Sequence, residues 1–326
     1  MAYEVRREEL ASLRAEWAQL LDQQPEPAPF LHPAWHQVWL EEFQAARDLL
    51  LLSVRDGDAL IGIAPLLRDD GRLSFVGHYS ICDYMDFIVA PGRGGDVFPA
   101  LLEALLQEEW SDVELRGLRE SSATLAELPK AADSAGLALE REVEAVAPRV
   151  PLPADWEAYL ASLSKKDRHE LRRKLRRAEG GKPRIEVARS PAAVAALVDS
   201  FVALHRKSKV GKARFMDEAM ERFFREVAAA LAAAGWAALW LLWLEDRPAA
   251  ALFCLEYGGT VGLYNSGFDP EARALSPGVV LIARTIEDAL RRGFRRYDFL
   301  RGDDPYKYGF GAVATDVLRI TLERSP

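Results

Sequence analysis

Residues 262–311 read GLYNSGFDPEARALSPGVVLIARTIEDALRRGFRRYDFLRGDDPYKYGFG, and this stretch decides the fold class. A strand ends in the polar groups Tyr264-Asn265-Ser266-Gly267, and strand ends of this kind commonly meet ligands. Ser276 then reads as an N-cap, with Pro277 suited to the first turn of a helix running to Arg292. Gly278 and Val279 follow, so backbone N–H groups lie uncovered at a positive helix end that can take a phosphate or carboxylate. The helix is followed by a strand, Arg296–Phe299, which empties into Arg301-Gly302-Asp303-Asp304 and Tyr306-Lys307-Tyr308. Charges and phenols directly after an apolar strand mark a candidate site. The order of strand, helix and strand places the segment in a mixed α/β fold.

Working outward, Arg184–Val187, Ala237–Leu244, Ala249–Glu256 and Val261–Ser266 read as strands, and Pro191–His205 and Asp217–Ala234 as helices. The first half has a similar plan. Helices are expected at Glu8–Leu21 and His32–Phe43, then a hairpin of Leu49–Val54 and Ala59–Leu67 about Asp56-Gly57-Asp58. Strands at Arg72–Val76, Tyr84–Val89, Val113–Leu115 and Leu137–Val146 alternate with helices at Val97–Leu106 and Ala123–Ala135. Pro148, Pro151 and Pro153 punctuate a boundary, after which Ser164 caps a basic helix that Gly180-Gly181 ends. The expected organisation is residues 1–150 as one domain, 151–183 as a linker with the basic helix, and 184–326 as a second domain.

Composition narrows the class. The chain has 326 residues, 49% hydrophobic and 28% charged, which excludes disordered, collagen-like and disulfide-stapled proteins. Residues 1–150 carry 27 acidic and 13 basic side chains, whereas residues 164–184 carry 10 basic and 3 acidic. A general nucleic-acid binder would be basic over a whole face, so DNA is not an expected partner. No apolar stretch approaches the roughly 20 residues a membrane span needs. The charged start MAYEVRREEL has no apolar core, so a signal peptide is not expected. With Cys82 and Cys254 expected to be reduced and buried, a cytoplasmic location fits. His32 and His36 stand four apart, but no third ligand group lies near them and no metal is expected. P-loop, GxSxG and GxGxxG patterns are absent.

The string YNSGFDP…LSPGVVL…IEDALRRGFRRYDFLRGDDPYKYGFGA resembles bacterial GNAT-superfamily proteins of the Fem-like group, which includes exopolysaccharide- and cellulose-associated acetyltransferases. Phe30-Leu31-His32-Pro33-Ala34-Trp35, Leu60–Leu66 and Leu163–Arg173 carry the same resemblance across nearly the whole chain. It implies two tandem GNAT-like domains, each a mixed, largely antiparallel sheet flanked by helices, with the acyl donor in the second. It implies donor contacts at Ser276, Pro277, Gly278, Val279 and Val280, where ALSPGVVL replaces the usual glycine pattern of the superfamily. The resemblance further implies an N-acyltransferase that moves an acyl group, most simply acetyl, from acyl-CoA to an amine or hydroxyl. The acceptor would be a small molecule, a sugar or a cell-envelope precursor.

Acyl-transfer chemistry assigns expected roles. An amine acceptor must lose a proton, and the tetrahedral oxyanion needs donors. Lys307 is expected to stabilise charge on the acyl or leaving group, and its replacement by Ala to abolish turnover with little loss of fold. Tyr306 or Tyr308 could protonate the leaving group, and Asp298 or Asp303 could be the acceptor-side base or anchor an acceptor amine. Arg301 suits bidentate phosphate or carboxylate contacts. Tyr264, Asn265, Asp269 and His205 would line the acceptor cleft. One alternative is a Fem-type transferase that uses aminoacyl-tRNA held by the basic helix. The Fem enzymes carry a longer helical hairpin for which residues 217–234 leave no room, which favours a CoA donor. The other alternative is a non-catalytic GNAT-like binding module.

Overall fold

The computed structural model describes residues 3–43 and 48–324, which form two compact units. Unit 1 comprises residues 1–146 and 315–326, and unit 2 residues 147–314. In unit 1, β1 (Glu4–Arg7), α1 (Leu10–Asp22) and α2 (Pro33–Phe43) precede the hairpin of β2 (Asp48–Asp56) and β3 (Ala59–Asp69). Then come β4 (Arg72–Phe75), β5 (Ile88–Val89), α3 (Gly94–Leu106), β6 (Asp112–Arg119), α4 (Ala123–Ser134) and β7 (Leu137–Pro151), whose last residues lie in unit 2. The sheet pairs β1, β2, β3 and β4 antiparallel in that order, with β4 parallel to β6.

Unit 2 continues with α5 (Trp156–Ser162), α6 (Lys165–Glu179), β8 (Pro183–Ala188), α7 (Pro191–Ser208), α8 (Val210–Phe215) and α9 (Glu218–Ala233). The antiparallel meander of β9 (Ala237–Leu244), β10 (Arg247–Tyr257) and β11 (Thr260–Phe268) follows, then α10 (Pro277–Arg291), β12 (Arg296–Asp298) and α11 (Pro305–Tyr308). The final strand, β13 (Val313–Arg324), pairs with β6, so the end of the chain joins unit 1 rather than unit 2. Sequence distance hides such a pairing: Val317 lies opposite Arg119.

The centre of unit 2 follows from its composition. Strand β9, AALWLLWL, and most of β10 are buried apolar runs without alternation, as expected where both sheet faces are covered. Helix α10 buries Val280, Leu281, Ile282, Ala283, Ile286, Ala289 and Leu290 in this core. Helix α7 contacts β11 and β10. Its approach depends on Gly267: a Cβ there would stand 2.3 Å from the His205 amide nitrogen.

Several expectations change. Of Tyr84–Val89 only Ile88–Val89 pairs, with β3. The Glu4–Arg7 strand is additional. Strand β7 runs through Pro148 and Pro151 instead of stopping before them. Both cysteines are buried, and neither is in a disulfide. Among the described residues no helix is long and apolar enough to cross a membrane, and no cluster of His, Cys, Asp or Glu could hold a metal ion. His36 is enclosed against Trp17, and His32 Nδ1 accepts the Ala34 N–H at 3.1 Å.

Candidate active site

The candidate site is built where two parallel strands part. β11 and β12 share only three register pairs, Thr260 with Arg296, Val261 with Tyr297 and Gly262 with Asp298. Beyond them β11 runs on to Phe268 while the other chain turns away. The turn uses two residues in the left-handed region, Leu300 (φ 55°) and Gly302 (φ 116°). A bulge adds to the separation: Phe253 lies opposite Asn265 and Cys254 opposite Leu263, which leaves Tyr264 as the extra residue of β11. A bulge bends a strand and re-aims its side chains. Because α10 links the end of β11 to the start of β12, its N-terminus lies at this same end of the strands.

That N-terminus differs from the expected cap. Ser276 occupies the N-cap position but is left-handed (φ 51°), and its side chain makes no capping bond. Its N–H donates to the Arg273 carbonyl at 3.0 Å and its carbonyl accepts the Val280 N–H at 3.1 Å. Pro277 takes the first turn and is buried, as is Val280, while Gly278 and Val279 are half-buried. A Cβ at Gly278 would meet open space. The first N–H groups of a helix have no partner within it, and those of Gly278 and Val279 stand at this end.

Opposite the bulge stands α7. His205 is 1% exposed, and its Nε2 lies 2.8 Å from Asn265 Oδ1. The Ser266 backbone N–H, which can only donate, reaches the same Asn265 atom at 3.3 Å. That atom is therefore the amide oxygen, His205 carries its proton on Nε2, and the Asn265 amide group points away from both. Burial first, then Lys212, lowers the His205 pKa to about 4, so the ring is neutral at physiological pH. Tyr264 stacks on Phe224 at 5.4 Å. Asp269 caps the turn after β11 through the Glu271 N–H and pairs with Lys207 at 2.9 Å. Burial opposes its ionisation, but Lys207, the Glu271 N–H and Arg247 together outweigh that and its pKa is lowered.

The loop after β12 holds the remaining candidates. Asp298 is 4% exposed; it accepts the Leu300 N–H at 2.7 Å and pairs with Arg149 at 3.0 Å, a partner the sequence did not indicate. Lys307 is 3% exposed, and its Nζ donates to the carbonyls of Leu300, Arg301 and Gly302 at 3.2, 3.1 and 2.8 Å. Asp304 lies 3.8 Å from the same nitrogen. The Lys307 head thus binds the inside of its own loop, which ties this side chain to the conformation of residues 300–302. Tyr308 donates to Asp303, and both are exposed. Burial, then Asp304, pushes the Tyr306 hydroxyl up to about 12, although the residue as a whole is 44% exposed. Arg301 is half-buried.

The sequence groups Ser266 with the polar end of β11 but assigns Lys212 no role. Lys212 Nζ donates to the Ser266 carbonyl and lies 3.4 Å from Ser266 Oγ. The basic run from Arg206 to Lys212 was visible, but not which of its members turns inward. In unit 1, a separate cavity of about 640 Å³ is lined by Asp86, Arg119, Ser122, Gly94 and Gly95. There Asp86 bonds to Thr124, beside Ser122, the N-cap of α4.

The profile of the acetyltransferase (GNAT) domain matches residues 165–308, less than half of the chain but most of unit 2. No curated protein sequence matches. Among solved structures, FemX is similar over 97% of this chain and 96% of its own, at 13% identity and a TM-score of 0.68. L-PGS from Bacillus licheniformis is similar over 94% of each chain, at 11% identity and a TM-score of 0.57. A tandem GNAT protein from the clavulanic acid biosynthesis pathway is similar over 99% of each, at 14% identity and a TM-score of 0.53. The chain has a mixed α/β fold of the GNAT superfamily, related to that of FemX and tandem GNAT proteins.

Proposed function

We propose that the chain is an acyltransferase that moves an acyl group, most simply acetyl, from acyl-CoA to an amine or hydroxyl. The acceptor is a small molecule, a sugar or a cell-envelope precursor. The observation that carries this reading is the parting of β11 and β12 at the Tyr264 bulge, with the open N-terminus of α10 at the same strand ends. All of this lies inside the segment that matches the GNAT domain.

In this reading Gly278 and Val279 N–H groups bind the donor pyrophosphate, beside Ser276, Pro277 and Val280, and Arg301 supplies a further cation. The thioester carbonyl lies along the open edge of β11, where the Asn265 amide can donate to the developing oxyanion. Tyr306 keeps its proton at neutral pH and can give it to the leaving thiolate. Lys307 acts by holding residues 300–302 in place. Asp298 is a positioning group, since both of its oxygens are engaged. The tandem arrangement of two GNAT-like domains belongs to the same proposal.

The aminoacyl-tRNA reading draws on one feature, the exposed Arg172, Arg173, Arg176 and Arg177 on α6. Calorimetric titration with acetyl-CoA, CoA and aminoacyl-tRNA separates these readings. Acetyl-CoA binding with thiol release in the presence of an acceptor supports the first. Binding of tRNA alone, weakening steeply with salt, supports the second. Binding of neither leaves a non-catalytic module and ends the enzyme proposal.

A further inference from the structure

We propose that Lys212 is the proton acceptor of the transfer reaction: its Nζ, turned in from α8 onto the Ser266 carbonyl, takes the proton of an acceptor ammonium at the open end of β11. The inference rests on the acyltransferase reading above and specifies a primary amine as the acceptor.

The geometry places the Lys212 amine at the end of β11. Its head reaches the strand immediately after the bulge, with Ser266 Oγ beside it. Lys307, the other amine of this region, has its three protons directed at three carbonyls of its own loop and is not available to exchange one. Asp298 is committed to Arg149 and the Leu300 N–H, and Asp303 to Tyr308. His205 donates through Nε2 and is enclosed among Phe201, Phe215 and Phe224, so it orients Asn265 and cannot reach an acceptor.

The charges facing Lys212 suit the role. Burial lowers its pKa from the ordinary lysine value to about 8, Lys209 pushes the same way, and Asp304 across the loop opposes them. His205 faces it as a neutral ring, and Arg206 is tied to Glu221 at 2.7 Å and to the Met216 carbonyl. A base of this strength is well matched to an alkylammonium near neutral pH. In the step itself the acceptor ammonium gives one proton to neutral Lys212, and the freed lone pair forms a C–N bond to the thioester carbonyl carbon. The C–S bond then breaks, the thiolate takes the Tyr306 proton, and the second proton of that nitrogen restores the tyrosine. Lys212 afterwards returns its proton to water.

Two measurements on the full chain decide the matter. In the first, trace acetylation by acetic anhydride across pH 6.5 to 11 is mapped by mass spectrometry, with a free lysine peptide as internal standard. Lys212 should react with a midpoint near 8, against about 10.4 for the standard. A midpoint at the standard's value overturns the inference. In the second, thiol release from acetyl-CoA is followed with a panel of primary amines for the wild type and Lys212→Arg. The arginine keeps a cation and a donor for Ser266 but cannot lose its proton at these pH values. It should cost about 100-fold in kcat with KM for acetyl-CoA unchanged, and abolish the rise of rate through pH 8. If Lys212→Arg retains both the rate and the rise, the side chain is a structural clamp and the inference fails while the acyltransferase reading stands. If the wild type binds no acetyl-CoA, that reading fails, and the inference with it.

Discussion

Replacing Lys307 with Met tests whether this lysine supports its loop. Met keeps most of the apolar stem but removes the three donors that bind the Leu300, Arg301 and Gly302 carbonyls. Leu300 is buried and left-handed, a conformation that persists only when its surroundings enforce it. Removing a buried cation from carbonyls that accept from it costs about 3–5 kcal/mol, since the acceptors lose their partner without regaining water. That is a large part of the roughly 5–15 kcal/mol that stabilises a domain. Urea unfolding followed by tryptophan fluorescence should show a midpoint lowered by about 1–2 M. Amide exchange across residues 299–304 should accelerate by a similar free energy. An unfolding free energy within about 0.5 kcal/mol of wild type, with exchange unchanged, would refute the structural role and return the Lys307 head to the chemistry.

Acidification tests the buried histidines. Burial lowers His205 to about 4 and His36 to about 3, so between those values and about 6.5 the unfolded chain binds more protons than the folded one. Stability is therefore full above pH 6.5 and falls as pH drops towards 4, by about 2 kcal/mol per histidine at pH 5; denaturation at pH 7 and 5 measures it, and His36→Phe should remove its share. Gly267→Ala would drive a Cβ to 2.3 Å from the His205 amide nitrogen, so a loss of about 3 kcal/mol or more is expected by thermal unfolding. Gly278→Glu has open space at its Cβ and should leave the melting temperature nearly unchanged. It should weaken acetyl-CoA binding roughly tenfold or more by setting an anion at the helix end, and unchanged affinity in a calorimetric titration would move the donor elsewhere.

Local signals made the ends of α10 legible: Pro277 fits the first turn whatever surrounds it, and the apolar spacing from Val280 to Leu290 fixes the buried face. Two of the three prolines that mark a boundary in the sequence, Pro148 and Pro151, stand inside β7. The Pro148 carbonyl takes the Phe299 N–H at 2.9 Å, and the missing N–H groups are not called upon. Residues 84–87 have a strand's composition but form no ladder: the Met85 N–H bonds to the Gly117 carbonyl of β6, and only Ile88–Val89 pairs in register, with β3. The pairing of β13 with β6 likewise depends on a partner some 200 residues away.

The site divides in the same way. Which residues are charged or phenolic was plain from Tyr264 to Tyr308, but the direction of each side chain was not. Two positive φ angles, at Leu300 and Gly302, turn three carbonyls onto one point, and that convergence draws in Lys307. One extra residue in β11 sets the register at which Asn265 meets His205 and Ser266 meets Lys212. Had the bulge been absent, the alternation of a regular strand would place Asn265 and Ser266 on the opposite faces, and His205 and Lys212 would lose their partners together. The chemistry of this cleft is therefore governed by a backbone irregularity that residue types do not encode. That is why Lys212, one of several lysines in a basic run, could be singled out only once the strand's register was known.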